Sequence, residues 1–317
     1  MNNLKEAVEA AAERIGPNIL ETPVVEAPSL SSELGCEVLL KLENIQKTGS
    51  FKIRGALNKV LQLTEAEKAA GIVTASSGNH GAAVSKAAQI AGGKVDIYVP
   101  EGASPAKIAN MERLGGTVHV FGSDSGKSEL EAQRVAKETG GTYVSPYNDP
   151  QVIAGQGTIG LELSRQVPDM DAVIIAVGGG GLASGIAGYL KAVNPKIETI
   201  GAAPAASAAM IASIEAGEIV EIPHDHTLSD GTAGGIDDDA ITFPLCRDNL
   251  DTLVRVDETA IEEAFRDLFR NEHMLVEGAA AVTLAALRRE APRLKGKKVV
   301  LVLCGANISP DVVKSLL

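Results

Sequence analysis

Short apolar runs alternate with amphipathic segments along almost the whole chain. Residues 4–15 carry apolar side chains at helical spacing, residues 36–42 (CEVLLKL) read as a strand, and 53–63 read as a helix. The next expected strand, 72–75, ends in Ser76-Ser77-Gly78-Asn79-His80-Gly81, after which 82–91 is helical. The same alternation predicts strands over 95–99, 117–121, 172–177, 198–202 and 298–303, with helices over 105–114, 128–139 and 182–193. Strand and helix taking turns through short glycine-rich connections is the pattern of βαβ units, hence of an α/β fold with a parallel, doubly wound sheet. No internal repeat or low-complexity linker interrupts it, so composition marks no domain boundary.

Composition sets the kind of core. Apolar residues make up 45% of the 317, yet aromatics are only 3% and Trp is absent. The interior must therefore be Ala, Val, Ile and Leu, and 33 glycines suit helices packed closely on parallel strands. A formal charge of −12 gives no general affinity for nucleic acid or for an anionic membrane, which leaves a small molecule as the expected partner. Cys36, Cys246 and Cys304 are odd in number and far apart, without a CxxC pair. That argues against a disulfide framework or a zinc knuckle and for a reducing compartment. The N-terminus is a charged amphipathic segment and not a signal peptide, and the most apolar run, 278–287, is too short to span a bilayer. The expectation is a cytoplasmic protein.

Four segments stand where an expected strand gives way to a loop or helix, the edge of an open parallel sheet at which ligands bind. In the first, Lys52 lies between Phe51 and Ile53. Desolvation there would lower its pKa and free the amine to attack an aldehyde, although taken alone it reads as a surface lysine at a helix start. In the second, Ser76-Ser77-Gly78-Asn79-His80-Gly81 opens a helix and offers free N–H groups to an anion such as a carboxylate. Its plain reading is a helix N-cap by Ser76 or Ser77. The third, Gly178-Gly179-Gly180-Gly181-Leu182, lets backbone wrap a phosphate at a helix N-terminus. It fits the dinucleotide fingerprint poorly, because Ala183 takes the last glycine position and Ala202 and Ala203 stand where an acidic residue is needed. The fourth is Cys304 at the end of residues 298–303, a thiol that faces a ring nitrogen in one reading and is a small buried hydrophobe in the other.

Each signal is weak alone; their order and spacing are not. KLENIQKTGSFKIRGA, TASSGNHGAAVS, VIAGQGTIGLE, GGGGLASG, SDGTAGG, VEGAAAV and LCGAN follow one another over nearly the whole chain. In this the sequence resembles the fold type II pyridoxal-phosphate (PLP) enzymes, specifically the serine/threonine dehydratase group that includes serine racemase. The resemblance implies a tryptophan synthase β-like fold, with the cofactor between two doubly wound parallel-sheet domains. Residues 1–52 and 147–317 would form the large domain and 53–146 the small one. It makes Lys52 the Schiff-base lysine and the base at the substrate α-carbon, with Phe51 stacked near the pyridine ring and Asn79 bonded to the ring hydroxyl. The amides of Gly178, Gly179, Gly180, Gly181 and Leu182 would hold the 5′-phosphate. Cys304 would face the pyridine nitrogen as a neutral partner, a weaker electron sink that suits β-elimination. Ser76, Ser77, Gly78, Asn79 and His80 would line the carboxylate site, with Asp230 and Gly231 on the substrate side. Ser77 also matches the residue that acts on the opposite face of the α-carbon in racemases.

The implied activity is dehydration and deamination of a small β-hydroxy amino acid, such as L-threonine or L-serine, to a 2-oxo acid and ammonia. 3-Hydroxyaspartate and the hydroxylated diamino acid of hydroxyectoine breakdown stay open as substrates. Serine racemisation, β-replacement and non-catalytic PLP binding stay open as activities, although SFKIRG points away from β-replacement. Many relatives bind a divalent cation through a Glu and an Asp. Ala203 and Ala209 stand at those positions, and hard cations need anionic oxygen ligands, so no metal is expected. With Leu317 so soon after Cys304, no C-terminal regulatory domain is expected. Substrate choice is expected in 229–239 and at Tyr147, with Asp237 to Asp239 read as a solvated loop. A homodimer is the assembly implied.

Overall fold

Ten strands fall into two sheets in a computed structural model that describes residues 3–317. The strands are β1 (Val24–Glu26), β2 (Glu37–Lys41), β3 (Ile72–Ala75), β4 (Val95–Val99), β5 (Gly116–Val120), β6 (Thr142–Tyr143), β7 (Ala172–Ala176), β8 (Glu198–Pro204), β9 (Thr252–Val256) and β10 (Lys298–Val302). The larger sheet runs in the order β1-β2-β10-β7-β8-β9, and the smaller in the order β5-β4-β3-β6. All pairings are parallel except β1 with β2, so the expected doubly wound α/β fold carries one antiparallel edge strand. The Ala172–Ala176 strand (AVIIA) is buried throughout and shows no polar alternation, because helices cover both faces of its sheet.

The glycines explain how helices approach without aromatic filling. Helix Pro150–Gln166 lies against helix Gly181–Val193 so closely that a Cβ on Gly185 would stand 2.5 Å from the Ile153 carbonyl oxygen. A Cβ on Gly160 would stand 3.0 Å from the Ile186 carbonyl oxygen. Val, Ile, Leu and Ala then fill the main core around β7 and β10, and a second core forms under the smaller sheet.

Four ionic side chains interrupt the apolar interior. Arg54, completely buried, donates from Nε and Nη2 to Glu43 at 2.8 and 2.7 Å and from Nη1 to Glu162 Oε1 at 2.5 Å. Lys41, equally buried, reaches Glu162 Oε2 at 2.5 Å, Gln166 Oε1 at 2.9 Å and the Thr22 carbonyl at 2.7 Å. Two cations and two anions balance, and every donor of the guanidinium has a partner near it, the condition under which buried charge is tolerated. The network ties helix Lys52–Val60 to β2, to the turn Glu43–Ile45 and to helix Pro150–Gln166.

Several elements start or stop away from their expected positions. The helix expected from residue 82 begins at Asn79, which puts Asn79 and His80 in its first turn. The helix expected over 53–63 is Lys52–Val60, so Lys52 opens it. Strand β8 runs two residues past its expected end at Ala202 and takes in Ala203 and Pro204. Strands β1, β6 and β9, the long helices Pro150–Gln166, Glu258–Arg270 and Gly278–Leu294 and several short helices did not stand out in the hydrophobic pattern. No helix of the described residues is long and apolar enough to cross a membrane.

Candidate active site

The C-terminal ends of β2, β3, β7 and β10 lead into all four segments. Lys52 reaches the end of β10 because Ser50 bridges Gly305, Phe51 N–H donates to the Cys304 carbonyl at 3.0 Å, and Ala306 N–H donates to the Gly49 carbonyl at 2.8 Å. The Lys52 stem is half open to the cleft, and its amine donates to the Pro146 carbonyl at 2.9 Å. Crowding by protein around the amine outweighs the pull of Cys304 and Glu277 and lowers its pKa to about 8. The Phe51 ring centroid lies 5.3 Å from that nitrogen. Cys304 is buried, and desolvation together with the nearby Glu277 raises its thiol well above the ordinary range, so the group is a neutral SH.

The serine loop does not cap its helix. Gly78 is the N-cap of Asn79–Ala91, no side chain accepts from the first turn, and Ser76 Oγ instead accepts from Gly78 N–H at 3.2 Å. Ser77, Gly78 and Asn79 are half-buried at an open helix N-terminus, an anion-binding geometry. His80 turns away from the expected carboxylate site. It is buried, with Nε2 2.9 Å from the Val144 carbonyl, and Nδ1 has no protein partner. Burial, then the Lys52 charge, lower its pKa to about 3, so it is neutral at physiological pH.

Helix Gly181–Val193 likewise opens without a side-chain cap, its N-cap Gly180 lying at φ 86°. The other glycines of this loop answer to local packing. A Cβ on Gly179 would sit 2.5 Å from the Tyr147 ring, and one on Gly178 would sit 2.8 Å from Thr232 Cα. Tyr147 is held in that place by its hydroxyl, which accepts from Asp237 N–H at 2.8 Å. Asp237 is thus engaged, its carboxylate also taking a bond from Asn148 at 3.0 Å; Asp239, though exposed, accepts from the same amide at 3.1 Å, and Asp238 is exposed as expected for a solvated loop. Asp230 is exposed and pairs with Lys107 at 3.0 Å, which links its loop to helix Pro105–Arg113 beside the smaller sheet. Gly231 sits next to it, with its Cβ position 3.5 Å from Glu277 Oε1. Ala203 packs with Ala208 and Ile211, and Ala209 is buried.

The whole chain matches known proteins in one direction. The family described as "Pyridoxal-phosphate dependent enzyme" matches residues 15–305. The chain belongs to this family. Over 310 residues it is 40% identical to a putative threonine dehydratase of Sinorhizobium fredii, covering 97% of this chain and 93% of that protein. It is also 40% identical over 307 residues to the L-threonine ammonia-lyase of Thermotoga maritima, covering 96% of this chain and 76% of that protein. Among solved structures, that of maize serine racemase superposes with a TM-score of 0.92 at 34% identity, over 98% of this chain and 95% of that one. The fold is therefore fold type II, and the enzyme is PLP-dependent. The residues fit that cofactor on structural grounds. A lysine amine of lowered pKa, an uncapped helix N-terminus behind a glycine loop, and a neutral thiol at a strand end all open on the same sheet edge.

Glu277 is the site residue that sequence reasoning passed over. It lies within VEGAAAV, a stretch recognised only as part of the resemblance, and it reads there as an ordinary helix-start acid. The signal was available in one form: a carboxylate inside an otherwise apolar run must be exposed or specifically bonded. It is bonded, with 3% exposure.

Proposed function

We propose that the protein is a PLP-dependent ammonia-lyase that dehydrates and deaminates a small β-hydroxy amino acid, L-threonine or L-serine, to a 2-oxo acid and ammonia, working as a homodimer of two-domain chains. The observation that carries this reading is Lys52, whose amine has a pKa near 8 beside the neutral Cys304 thiol and the open helix at Asn79. The relatives named as threonine dehydratase and threonine ammonia-lyase support it.

When bound, PLP supplies the electron sink that lets an amino acid lose its α-proton. Lys52 would carry the cofactor, and its amine, brought down to about 8 by burial, lies close enough to neutral pH to take up and give back a proton at the substrate α-carbon. Ser76, Ser77 and the N–H groups at Gly78 and Asn79 hold the substrate carboxylate at the helix end. The amides of Gly178 to Leu182 hold the phosphate through backbone dipoles, and Phe51 flanks the ring. Cys304 offers the ring nitrogen an uncharged partner. His80, neutral and bonded to Val144, supports the floor of the carboxylate site and takes no part in proton transfer.

Ser77, half-buried in the same loop, favours a second reading in which it exchanges a proton on the face opposite Lys52 and racemises serine. The test is 2-oxo acid release from a panel of L-β-hydroxy amino acids by the PLP-loaded protein, with Lys52→Ala beside it and the recovered amino acid analysed for D-isomer. Release from one substrate that vanishes in the variant is the expected result. D-isomer without 2-oxo acid would replace dehydration by racemisation.

A further inference from the structure

Glu277 is the N-cap of helix Gly278–Leu294, yet its carboxylate does not cap that helix. It crosses instead to Asn79, 198 residues away, whose Nδ2 donates to Oε1 at 2.9 Å and to Oε2 at 3.0 Å. Asn307 N–H donates to Oε2 at 3.2 Å, and Asn307 Nδ2 donates both to Asn79 Oδ1 at 2.5 Å and to the Thr48 carbonyl at 2.9 Å. The three residues close a ring of hydrogen bonds.

The ring fixes how the Asn79 amide lies. Flipping it would set two N–H donors against each other at Asn307 and an oxygen against a carboxylate at Glu277, which a network of this kind forbids. The two oxygens of one carboxylate lie too close together to take both N–H bonds of an amide nitrogen, which diverge widely. They share one. The second N–H of Asn79 is left over at a half-buried position in the first turn of its helix. Little else explains the carboxylate, because burying it costs free energy that no cationic contact offsets. The ionisable groups whose charges reach it are Asp230 and Lys107, which are paired with each other, and Lys52 and Cys304 at the foot of the site. Gly305 leaves it room, since a Cβ there would stand 2.6 Å from Oε1.

We propose that Glu277 is a positioning residue: with Asn307 it holds the Asn79 amide in the one orientation that presents an N–H to the ring oxygen of the cofactor. This rests on the reading that Asn79 faces that oxygen, and it adds a residue to which no role in the site is otherwise assigned. Glu277 itself touches neither substrate nor cofactor. The conservative Gln keeps an acceptor for Asn79 but brings an NH₂ against the Asn307 N–H, so it restores only part of the ring.

The test is a double-mutant cycle read on the PLP-loaded protein, with two readouts other than turnover: the absorbance maximum of the lysine-bound cofactor and its dissociation constant. Glu277→Ala is expected to shift the maximum and to weaken cofactor binding about tenfold, the effect of releasing a buried hydrogen-bonded donor. Glu277→Gln should shift both in the same direction by less, and it carries the test if the alanine variant does not fold. In an Asn79→Ala background neither substitution should change either readout further. Full, undiminished effects of Glu277→Ala in that background would overturn the proposal, as would no effect of Glu277→Ala where Asn79→Ala alone has one. If Asn79→Ala changes neither readout, the assignment of Asn79 fails first and the proposal with it. Loss of the lysine-bound absorbance in Lys52→Ala checks the functional reading separately.

Discussion

Replacing Arg54 by Met tests whether the buried ionic network organises the Lys52 helix or merely accompanies it. Met keeps much of the volume and removes the charge together with the bonds to Glu43 and Glu162. Lys41 then faces two carboxylates alone and touches only Glu162. Breaking a buried pair on one side costs about 3–5 kcal/mol, because the partner charge is left without compensation. At the lower slope suited to a chain of this size, Tm should fall by roughly 6–10 °C. The pH dependence makes the test specific. In the wild type, burial pushes the Glu43 carboxyl up, but Arg54 and Lys41 take it below its usual range. A depressed carboxyl contributes stability that is present above its unfolded pKa, about 4.3, and is lost only as pH falls below that. Glu43 should therefore add no pH trend to the wild type between pH 8 and 5, and the trend from Glu277, common to both proteins, cancels in their difference. In the variant, burial dominates and the folded pKa lies above the unfolded one, so stability rises as pH falls toward the unfolded value. The gap between the two proteins should be widest at pH 8 and narrow by pH 5, measured by thermal melts at one protein concentration. A loss under about 1 kcal/mol, or a larger loss with no pH trend, would refute the reasoning. Arg54→Met with Glu43→Gln should recover part of the loss, since a neutral replacement removes the stranded charge.

Gly179→Ala should cost about 1–3 kcal/mol through overpacking against the Tyr147 ring, with weaker cofactor binding; in a Tyr147→Ala background the penalty should largely disappear, and its persistence would mean the glycine is needed for another reason. Lys107→Ala removes an exposed ion pair with Asp230, worth about 0.2–1 kcal/mol, so KM should rise no more than about fivefold while Tm holds. That rise should vanish at high salt. Lys52, with its amine lowered to about 8, should capture added PLP faster as pH rises through that value and then level off, because only the neutral amine attacks. A rate still climbing well above it, as for an ordinary lysine near pKa 10.4, would show that burial does not tune this group.

The sequence carried most of the strand–helix alternation because β7 and β10 are short apolar runs and β3 and β4 are apolar but for Thr74 and Asp96, with glycine or polar residues near their ends. It did not carry β6, two half-buried residues whose pairing with β3 depends on the tertiary fold. Nor did it carry helix Gly278–Leu294, whose run of alanines is buried on nearly every face and so lacks an amphipathic period. Helix starts moved for a related reason: Asn79 and Gly181 begin helices without a capping side chain, so the usual start signals were missing. At the site, Lys52 and Cys304 were legible through motif order, and the Ser50–Gly305 bridge brings them together. The Glu277–Asn79–Asn307 ring was not legible, since hydrogen bonds across about 200–230 residues of sequence leave no spacing to read.

The ionisable groups around Lys52 share one tendency. Burial lowers the lysine to about 8 and His80 to about 3, and it raises Glu277 to about 7 and Cys304 well beyond its ordinary value. Each shift favours the uncharged form. Closed ion pairs stand elsewhere, in the Arg54 network under the helix and in the Lys107–Asp230 pair at the rim. Beside Lys52, the polar elements that face the site are mostly dipoles: two uncapped helix N-termini, a neutral thiol, an oriented amide and backbone N–H groups. Such groups answer the charges of a phosphate, a carboxylate and a phenolate without the desolvation penalty of fixed ions, and they need no reorganisation when those charges shift during reaction. An arrangement of this kind can use Asn79 to tune a ring oxygen only if the amide cannot turn. That gives a buried carboxylate behind it a physical reason to be there.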